Sequence, residues 1–453
     1  MLYDGLTRLG PDGKAHLSIA ENYELSDDGK TYTFHLRNAN WSNGERVTAS
    51  HFVDSWKWML DPKHPSPIAS HFYLIENARQ AKEGKAPLNK VGIRALDERS
   101  LQIKLIHPSP HFLELLSFYN FYPTHLNGSV YNGPFMLKKW KPNQKMILVK
   151  NPLYWDEKNV AIEKIEISFI HDANTEFQSF KSGQLDFAGA PTSPSLPNDA
   201  IRMMKEKGEL HTVQAVANYF YVFNTKAFPF NNRNIRKAFS FTIPREEIVK
   251  YVTQGNEAPA YRFVPAADQA PFDPEKGREY LQKGLNELGI ALADLPPLSL
   301  HYNVSENHHK IAQTVKEYWE SRLGVRVSLK NQDWKSHLSL LKKGEFQMGR
   351  LSWKGMTRDP ENFLILFSEQ DHPMNNSGWR DEVYDALLQS ANEEKDLKKR
   401  KKLLQQAEDR LMDEMPVAPL FFSTISYVKS KRLNGEYVSE LGSVDFKWAS
   451  IDE

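Results

Sequence analysis

Residues 298–330 constrain the fold more than any other stretch of this chain. "LSLHYN" reads as a strand. "ENHHKIAQTVKEYWESRL" keeps Ile311, Val315 and Trp319 at i, i+4 and i+8, the spacing of one helix face. Gly324 closes that helix, and "VRVSLK" reads as the next strand. Strand, helix of this length and strand make a βαβ unit with a parallel pair. A second helix is predicted from about Asp333 to Lys343, followed by the strand "FQMGRL". Two more helices are predicted from about Asp381 to Ala391 and from Asp396 to Glu414. The five basic residues Lys398 to Lys402 read as a solvated face around Leu397, Leu404 and Leu411.

The opening third has a different character. In "SDDGKTYTFHLR" an Asp28-Gly29 turn leads into a strand with Tyr32, Phe34 and Leu36 on one face. "TASHFVDSWKWMLDP" is a helix capped by Thr48 and stopped before Pro62, with Phe52, Val53, Trp56, Met59 and Leu60 in helical register. "VGIRALDERSLQIKLIHPSP" reads as a hairpin. Further on, "YNGPFMLKKW" is a turn entering a strand, and "IEKIEISFI" alternates as a strand. "NTEFQSFKSGQLDF" reads as helix, glycine turn and short strand. "NYFYVFN" places Tyr219, Tyr221 and Phe223 on one face and Phe220 and Val222 on the other. Both faces are apolar, so this strand is central or lines a cleft.

A chain of 453 residues exceeds one ordinary core and implies two to four domains. The net charge of +1 offers no overall field for nucleic acid or an acidic membrane. Aromatic residues reach 12%, which suits either aromatic-rich cores or a binding cleft. The absence of cysteine excludes disulfides, thiol catalysis and cysteine-ligated metal. No run of about 18 to 20 apolar residues is present to span a membrane. The start, "MLYDGLTRLG", has neither the basic nor the apolar region of a signal peptide.

No nucleophile elbow, phosphate loop, zincin helix or paired-glycine fingerprint occurs. His308 and His309 are adjacent, but neighbours on a helix point about 100° apart and rarely share a metal. The expectation is binding without catalysis, with no cofactor and no metal.

Several segments, in order along essentially the whole chain, carry a resemblance. They are "LYDGLTRLGPDGKAHLSIAENYELSDDGKTYTFHLRNANWSNGERVTASHFVDSWKWMLDP", "NGPFMLKKW", "NPLYWD", "SGQLDF", "FNTKAFPFNNRNIRKAFSFTIPREEIV", "NQDWKSHL" and "DPENFL". Together they resemble the solute-binding proteins of peptide and nickel ABC importers, and within these the oligopeptide-binding proteins of the oligopeptide permease. The resemblance implies an α/β, two-lobed, three-domain periplasmic-binding-protein-like fold of the large peptide-binding type, with a ligand cleft between lobes. Residues 1–130 would form a small β-rich domain, residues 131–217 with 426–453 the rest of the first lobe, and residues 218–425 the second lobe. Two chain crossings would make a hinge that ligand closes.

The same likeness implies capture of extended oligopeptides through their main chain, and delivery to the membrane permease subunits of an ABC transporter. The protein would be a monomer, would bind no nucleic acid, and would work in the periplasm or on the outer face of the cytoplasmic membrane. Ligand contacts carry over to His308, Trp334, Arg350 and Trp353, and the "WKGM" stretch adds Lys354, Gly355 and Met356. Tyr219 and Tyr221 join them from the central strand. Trp334 could instead cap a helix against the core, and Arg350 could be a structural ion pair.

The chain also departs from the pattern. Asn232 and Pro244 replace common aspartates. The resemblance leads to the expectation of an earlier strand and a signal or lipid-anchor region before "LYDGL". Met356 stands where a typical member has the aspartate that pairs with the peptide's α-ammonium, while Asp359 reads as part of a structural Asp-Pro-Glu turn. Other readings are a binder of modified or glutathione-like peptides, haem or a metal chelate, a cleft hydrolase, and a truncated product that cannot bind ligand.

Overall fold

The computed structural model describes residues 1–452 except 67, 126–127, 193–195, 255–256, 266–270 and 369–374. The chain divides into two compact units. The first comprises Met1–Leu196, Asn392–Leu397 and Tyr427–Glu453, and the second Pro197–Ala391 and Lys398–Ser426.

The first unit is built on two antiparallel sheets. One contains β1 (Ala20–Leu25), β2 (Thr31–Leu36), β3 (Ile93–Ala95) and β4 (Ser100–Lys104) in the order β1-β2-β4-β3. Tyr32, Phe34 and Leu36 are buried on one face of β2, as the alternation requires. The helix α1 (Ala49–Leu60) buries Phe52, Val53, Trp56 and Leu60. The Thr48 hydroxyl lies 2.9 Å from the His51 ring nitrogen Nδ1, and the Thr48 N–H donates to the same atom at 3.0 Å, so the ring acts as the reciprocal cap. The second sheet is β5 (Phe135–Lys141), β6 (Lys145–Lys150) and β7 (Lys164–Ser168), in sequential order. Its root packs on a small core of Phe135, Leu148, Tyr154 and Val160.

The second unit carries the α/β part. Its main strands are β8 (His211–Phe223), β9 (Leu298–Asn303), β10 (Val327–Gln332), β11 (Met348–Lys354) and β12 (Val417–Lys429, whose last three residues fall in the first unit), ordered β12-β8-β11-β9-β10, and the short strand Ala258–Pro259 also pairs with β12. The βαβ expectation holds. β9 and β10 run parallel, with Leu298 opposite Val327, and α2 (Glu306–Leu323) joins them. Gly324 ends α2 in the left-handed region, φ 71°, where glycine pays no Cβ penalty. The next helix, α3 (Trp334–Lys343), leads back across β9 to β11, which also lies parallel to β9.

Two right-handed crossovers that step in opposite directions along a sheet must place their helices on opposite faces. The side chains agree. Trp319 of α2 meets Tyr221 on one face, ring centroids 6.1 Å apart. On the other face, a Cβ on Gly349 would come within 2.4 Å of Leu341 of α3, so only glycine permits that close approach. Burying Tyr221 and Trp319, both essentially inaccessible, contributes about 2 to 3 kcal/mol each.

One expectation needs correcting. Leu404 and Leu411 are buried on α4 (Leu397–Glu414), but Leu397, its first residue, is largely exposed. Arg400, four residues before Leu404, takes the inward position instead. The basic run is therefore a solvated face with one member turned inward by helical register.

Candidate functional site

In open α/β sheets ligands bind beyond the carboxyl ends of the parallel strands, where the helices after adjacent strands leave for opposite faces. In the second unit that edge is formed by the ends of β9, β10 and β11, and both α2 and α3 begin there. Because β8 runs antiparallel to β11, its Ala217–Tyr219 segment reaches the same edge.

Register sorts the candidate residues onto two faces. Tyr219 lies opposite Ser352 and Tyr221 opposite Arg350, so Tyr219, Tyr221 and Arg350 share the face covered by α2. Lys354, two pairs further along, belongs to the same face and is exposed. Trp353 is three residues from Arg350, an odd step in a strand, and points to the α3 face. The structure thus brings Tyr219, Tyr221, Arg350 and His308 together and places Trp353 and Trp334 apart from them.

On the α2 face, Arg350 is only 8% exposed. Its guanidinium carbon sits 4.5 Å from the centre of the Tyr219 ring, and Nη1 donates to the Asn303 side-chain oxygen at 3.2 Å. Nε has no hydrogen-bond partner, and Arg350 forms no carboxylate pair among the described residues. The His308 ring lies tilted against Tyr219, centroids 5.5 Å apart, with Nδ1 3.4 Å from the phenol oxygen. Burial, reinforced by Arg350 and then His337, pushes the His308 imidazolium pKa down to about 3, so the ring is neutral near pH 7. Burial raises the Tyr219 phenol to about 12, against the pull of Arg350. Tyr221 is also held protonated by burial, and its hydroxyl is buried without a partner. The neighbour His309 turns away and meets the Tyr302 hydroxyl at 2.6 Å, so the histidine pair has two separate partners. Arg350 is left as the one charged group of this cluster.

On the α3 face, His337 is fully buried and its Nε2 donates to the Arg350 carbonyl at 2.8 Å, which bolts α3 to the strand. Trp334 opens α3, 48% exposed, with its ring 6.1 Å from that of His337. Asp333 caps this helix by accepting from the Ser336 N–H at 3.1 Å, a role Trp334 does not fill. Trp353 is half-buried, and its indole N–H donates to the Asn362 carbonyl at 2.9 Å. Its backbone N–H donates to the side chain of Asn218, a fully buried residue whose amide in turn donates to Phe263.

After β11 the chain turns sharply. Gly355 is buried, its N–H donates to Val216 at 2.8 Å, and an added Cβ would crowd Thr357, Phe363 and Val216 at 2.9 to 3.0 Å. Met356 is half-buried, and its N–H donates to the Asn362 side chain at 3.0 Å. The next two acids are engaged. Asp359 accepts from Arg400 at 2.6 and 3.0 Å, and Glu361 accepts from the same guanidinium at 2.8 Å. Asp359 also accepts from the Glu361 N–H, as a structural turn would.

Sequence reasoning missed four residues that position the site: Asn218, Asn303, His337 and Asn362. Asn362 stood inside the quoted "DPENFL", and a polar residue that close to Trp353 and Met356 was a usable signal. Asn218, polar within an otherwise apolar strand, was another.

Comparison with known proteins follows the same lines. The model of the bacterial extracellular solute-binding proteins, family 5 Middle, matches residues 14–375. The oligopeptide-binding protein OppA of Bacillus subtilis is 39% identical, over 98% of this chain and 86% of that protein. The dipeptide-binding protein DppE of the same organism is 34% identical, over 99% and 86%. Among solved structures, Haemophilus influenzae OppA in complex with the peptide RPPGFSPFR superposes with a TM-score of 0.82 at 26% identity, covering 99% of this chain and 93% of the other.

Proposed function

The chain belongs to the bacterial extracellular solute-binding proteins, family 5, and from that premise we propose that it captures peptides for an ABC importer. It acts outside the cytoplasm, in the periplasm or on the outer face of the cytoplasmic membrane, as a monomer that binds and releases without catalysis. The membrane permease subunits receive its cargo. The named relatives, one of them solved with a bound peptide, support the peptide class.

The observation that carries the reading within this chain is Arg350. A buried guanidinium without a carboxylate is costly, and the neutral His308, Tyr219 and Tyr221 around it offer no compensating charge. A ligand carboxylate at the strand edge supplies the missing partner and the acceptor that Nε lacks. The peptide's main chain pairs along β11, where backbone groups bind without regard to side-chain identity, and Trp353 and Trp334 form aromatic walls on the other face.

The arrangement around Met356 favours a second feature. The acids that follow it are taken up by Arg400, and Lys354 adds positive charge along the strand. The ligand's other end is then not a free ammonium held at Met356: it is blocked, anionic or held elsewhere.

The test is a thermal-shift screen of short peptides, each as a free acid and as its C-terminal amide. Free acids should raise the melting temperature by mass action, and amidation should weaken binding about tenfold or more. If no peptide, acid or amide, shifts the melting point, the proposal fails.

A further inference from the structure

We infer that the tip of the β5–β6 hairpin is a docking surface for an anionic lipid bilayer. Every residue from Lys138 to Gln144, "KKWKPNQ", is exposed. The turn is tight: Asn143 takes a left-handed conformation, φ 58°, and the Gln144 N–H donates to the Lys141 carbonyl. A bulge at Lys138 shifts the register from Leu137 opposite Leu148 to Lys139 opposite Ile147. Leu137 and Trp140 therefore share one face, and Lys139 and Lys141 share the other.

The apolar face begins in the core at Phe135 and Leu148 and continues past it. Trp140 pairs with Met146, and Met146 pairs with Ile167 on β7. Beyond them, Trp140 remains 56% exposed and Phe169 38% exposed. The rigid strands thus hold an indole and a phenyl ring out in solvent.

Charge identifies the occupant. Lys138, Lys139 and Lys141 form no ion pair among the described residues. Lys145 and Lys164 share a single acid, Glu166, whose carboxyl they pull down to about 2. Lys138, Lys139, Lys141 and Lys145 against Glu166 make this tip basic, although the whole chain is nearly neutral. A protein-docking patch would enrich arginine and deplete lysine. Here every cation is a lysine, a residue whose long, flexible stem lets its ammonium reach a phosphate while the neighbouring ring settles at the headgroups. Tryptophan settles at the headgroup level of a bilayer, and clustered lysines are drawn to anionic lipid. The inference rests on the tip alone and stands apart from the peptide reading.

The experiment is co-sedimentation of the whole chain with vesicles of phosphatidylglycerol and phosphatidylcholine, and with phosphatidylcholine alone, at low and at physiological salt. The natural protein should partition onto the anionic vesicles and much less onto neutral ones, with partitioning falling as salt rises. Replacing Lys138, Lys139 and Lys141 by Glu should reduce it by at least about fivefold per lysine, following roughly 1 kcal/mol for each basic residue near the surface. Trp140→Ser should weaken it on its own. A control pair, Lys401→Glu with Lys402→Glu, should leave it unchanged. All these positions are exposed, so melting temperatures should match the parent. No partitioning of the natural protein, equal partitioning of the tip variant, or equal loss in the control pair would each overturn the inference. So would binding that appears only when the vesicles carry a membrane protein.

Discussion

Two buried charges, one in each unit, are held in opposite ways. Asp4 in the first unit is completely inaccessible and saturated. Its carboxylate accepts from Arg8 at 3.0 Å, Ser18 at 2.6 Å, Tyr154 at 2.8 Å and the Trp155 indole at 3.1 Å. Its backbone exchanges two bonds with the buried Asn132, and Arg8 is shared with Asp445. Arg350 in the second unit is buried almost as deeply, yet it has one long amide contact, a ring face and an idle Nε. A saturated buried charge spends its interactions inside the fold. An unsaturated one keeps them for something that arrives.

The largest expected effect tests the saturated side. Asp4→Ala removes the acceptor for four donors and leaves Arg8 with half its partners. Breaking a buried, hydrogen-bonded pair costs about 3 to 5 kcal/mol, and urea unfolding should show a loss of that size, with peptide affinity of the folded fraction unchanged. Arg350→Met should behave the other way round. Stability should fall by less than about 1 kcal/mol or rise, because an uncompensated charge is replaced by a chain of similar volume. Affinity for a free-acid peptide should fall about a hundredfold, the loss of a charge-assisted contact worth roughly 3 kcal/mol. If Arg350→Met destabilises the fold as much as Asp4→Ala, the contrast is broken and Arg350 is structural.

Much of this was legible in the sequence, and the exceptions have physical causes. The βαβ segment and the strand Thr31–Leu36 could be read because each has a single buried face, which imprints a period of 3.6 or 2. The thirteen-residue strand Val417–Lys429 escaped notice because it is buried on both faces over most of its length, so "VAPLFFSTISYVK" carries no alternation. Within the site, the residue types were readable but their grouping was overlooked. The resemblance puts Arg350 and Trp353 in one ligand-contact set, although an odd separation on a strand places them on opposite faces. His337 and Asn303 could not be read at all. Their roles depend on α3 and β9 arriving beside β11 from elsewhere in the chain.

A third variant sharpens the comparison at the other end of the site. In the first unit, Arg8 has two acids. In the second, the acids after Met356 are committed to Arg400, so an incoming ammonium would find none unclaimed in that turn. Met356→Asp supplies one. The natural protein should bind a free-amine peptide and its acetylated twin alike, or prefer the acetylated form. The variant should swing toward the free amine by about tenfold, roughly 1.4 kcal/mol. A natural protein that strongly prefers the free amine would show that another acid already serves, and the reading of Met356 would be wrong.

The smallest effect separates the two regions by pH. Burial pushes the Asp445 carboxyl up more than any single neighbour pulls it down, but Arg8, the amino terminus and the Lys447 N–H together outweigh it, so the group sits below the usual carboxylate range. Its contribution is present above the unfolded value near 4 and disappears only as pH falls through the lower folded value. His308 works in a higher window. Its folded pKa of about 3 lies below the unfolded value near 6.5, so the unfolded chain binds the extra proton between the two. Stability must therefore decline as pH drops below about 6.5, well before the Asp445 network responds. His308→Gln removes that proton uptake. Between about pH 7 and 5.5 the natural protein should lose on the order of 1 kcal/mol more than the variant, measured by urea titration at each pH. A bound carboxylate would offset the Arg350 charge that, after burial, helps to keep His308 neutral, so a free-acid peptide should shrink the difference and its amide should not. Equal pH slopes in the two proteins, with and without peptide, would mean that His308 is already solvated and that the cluster is less closed than Arg350 implies.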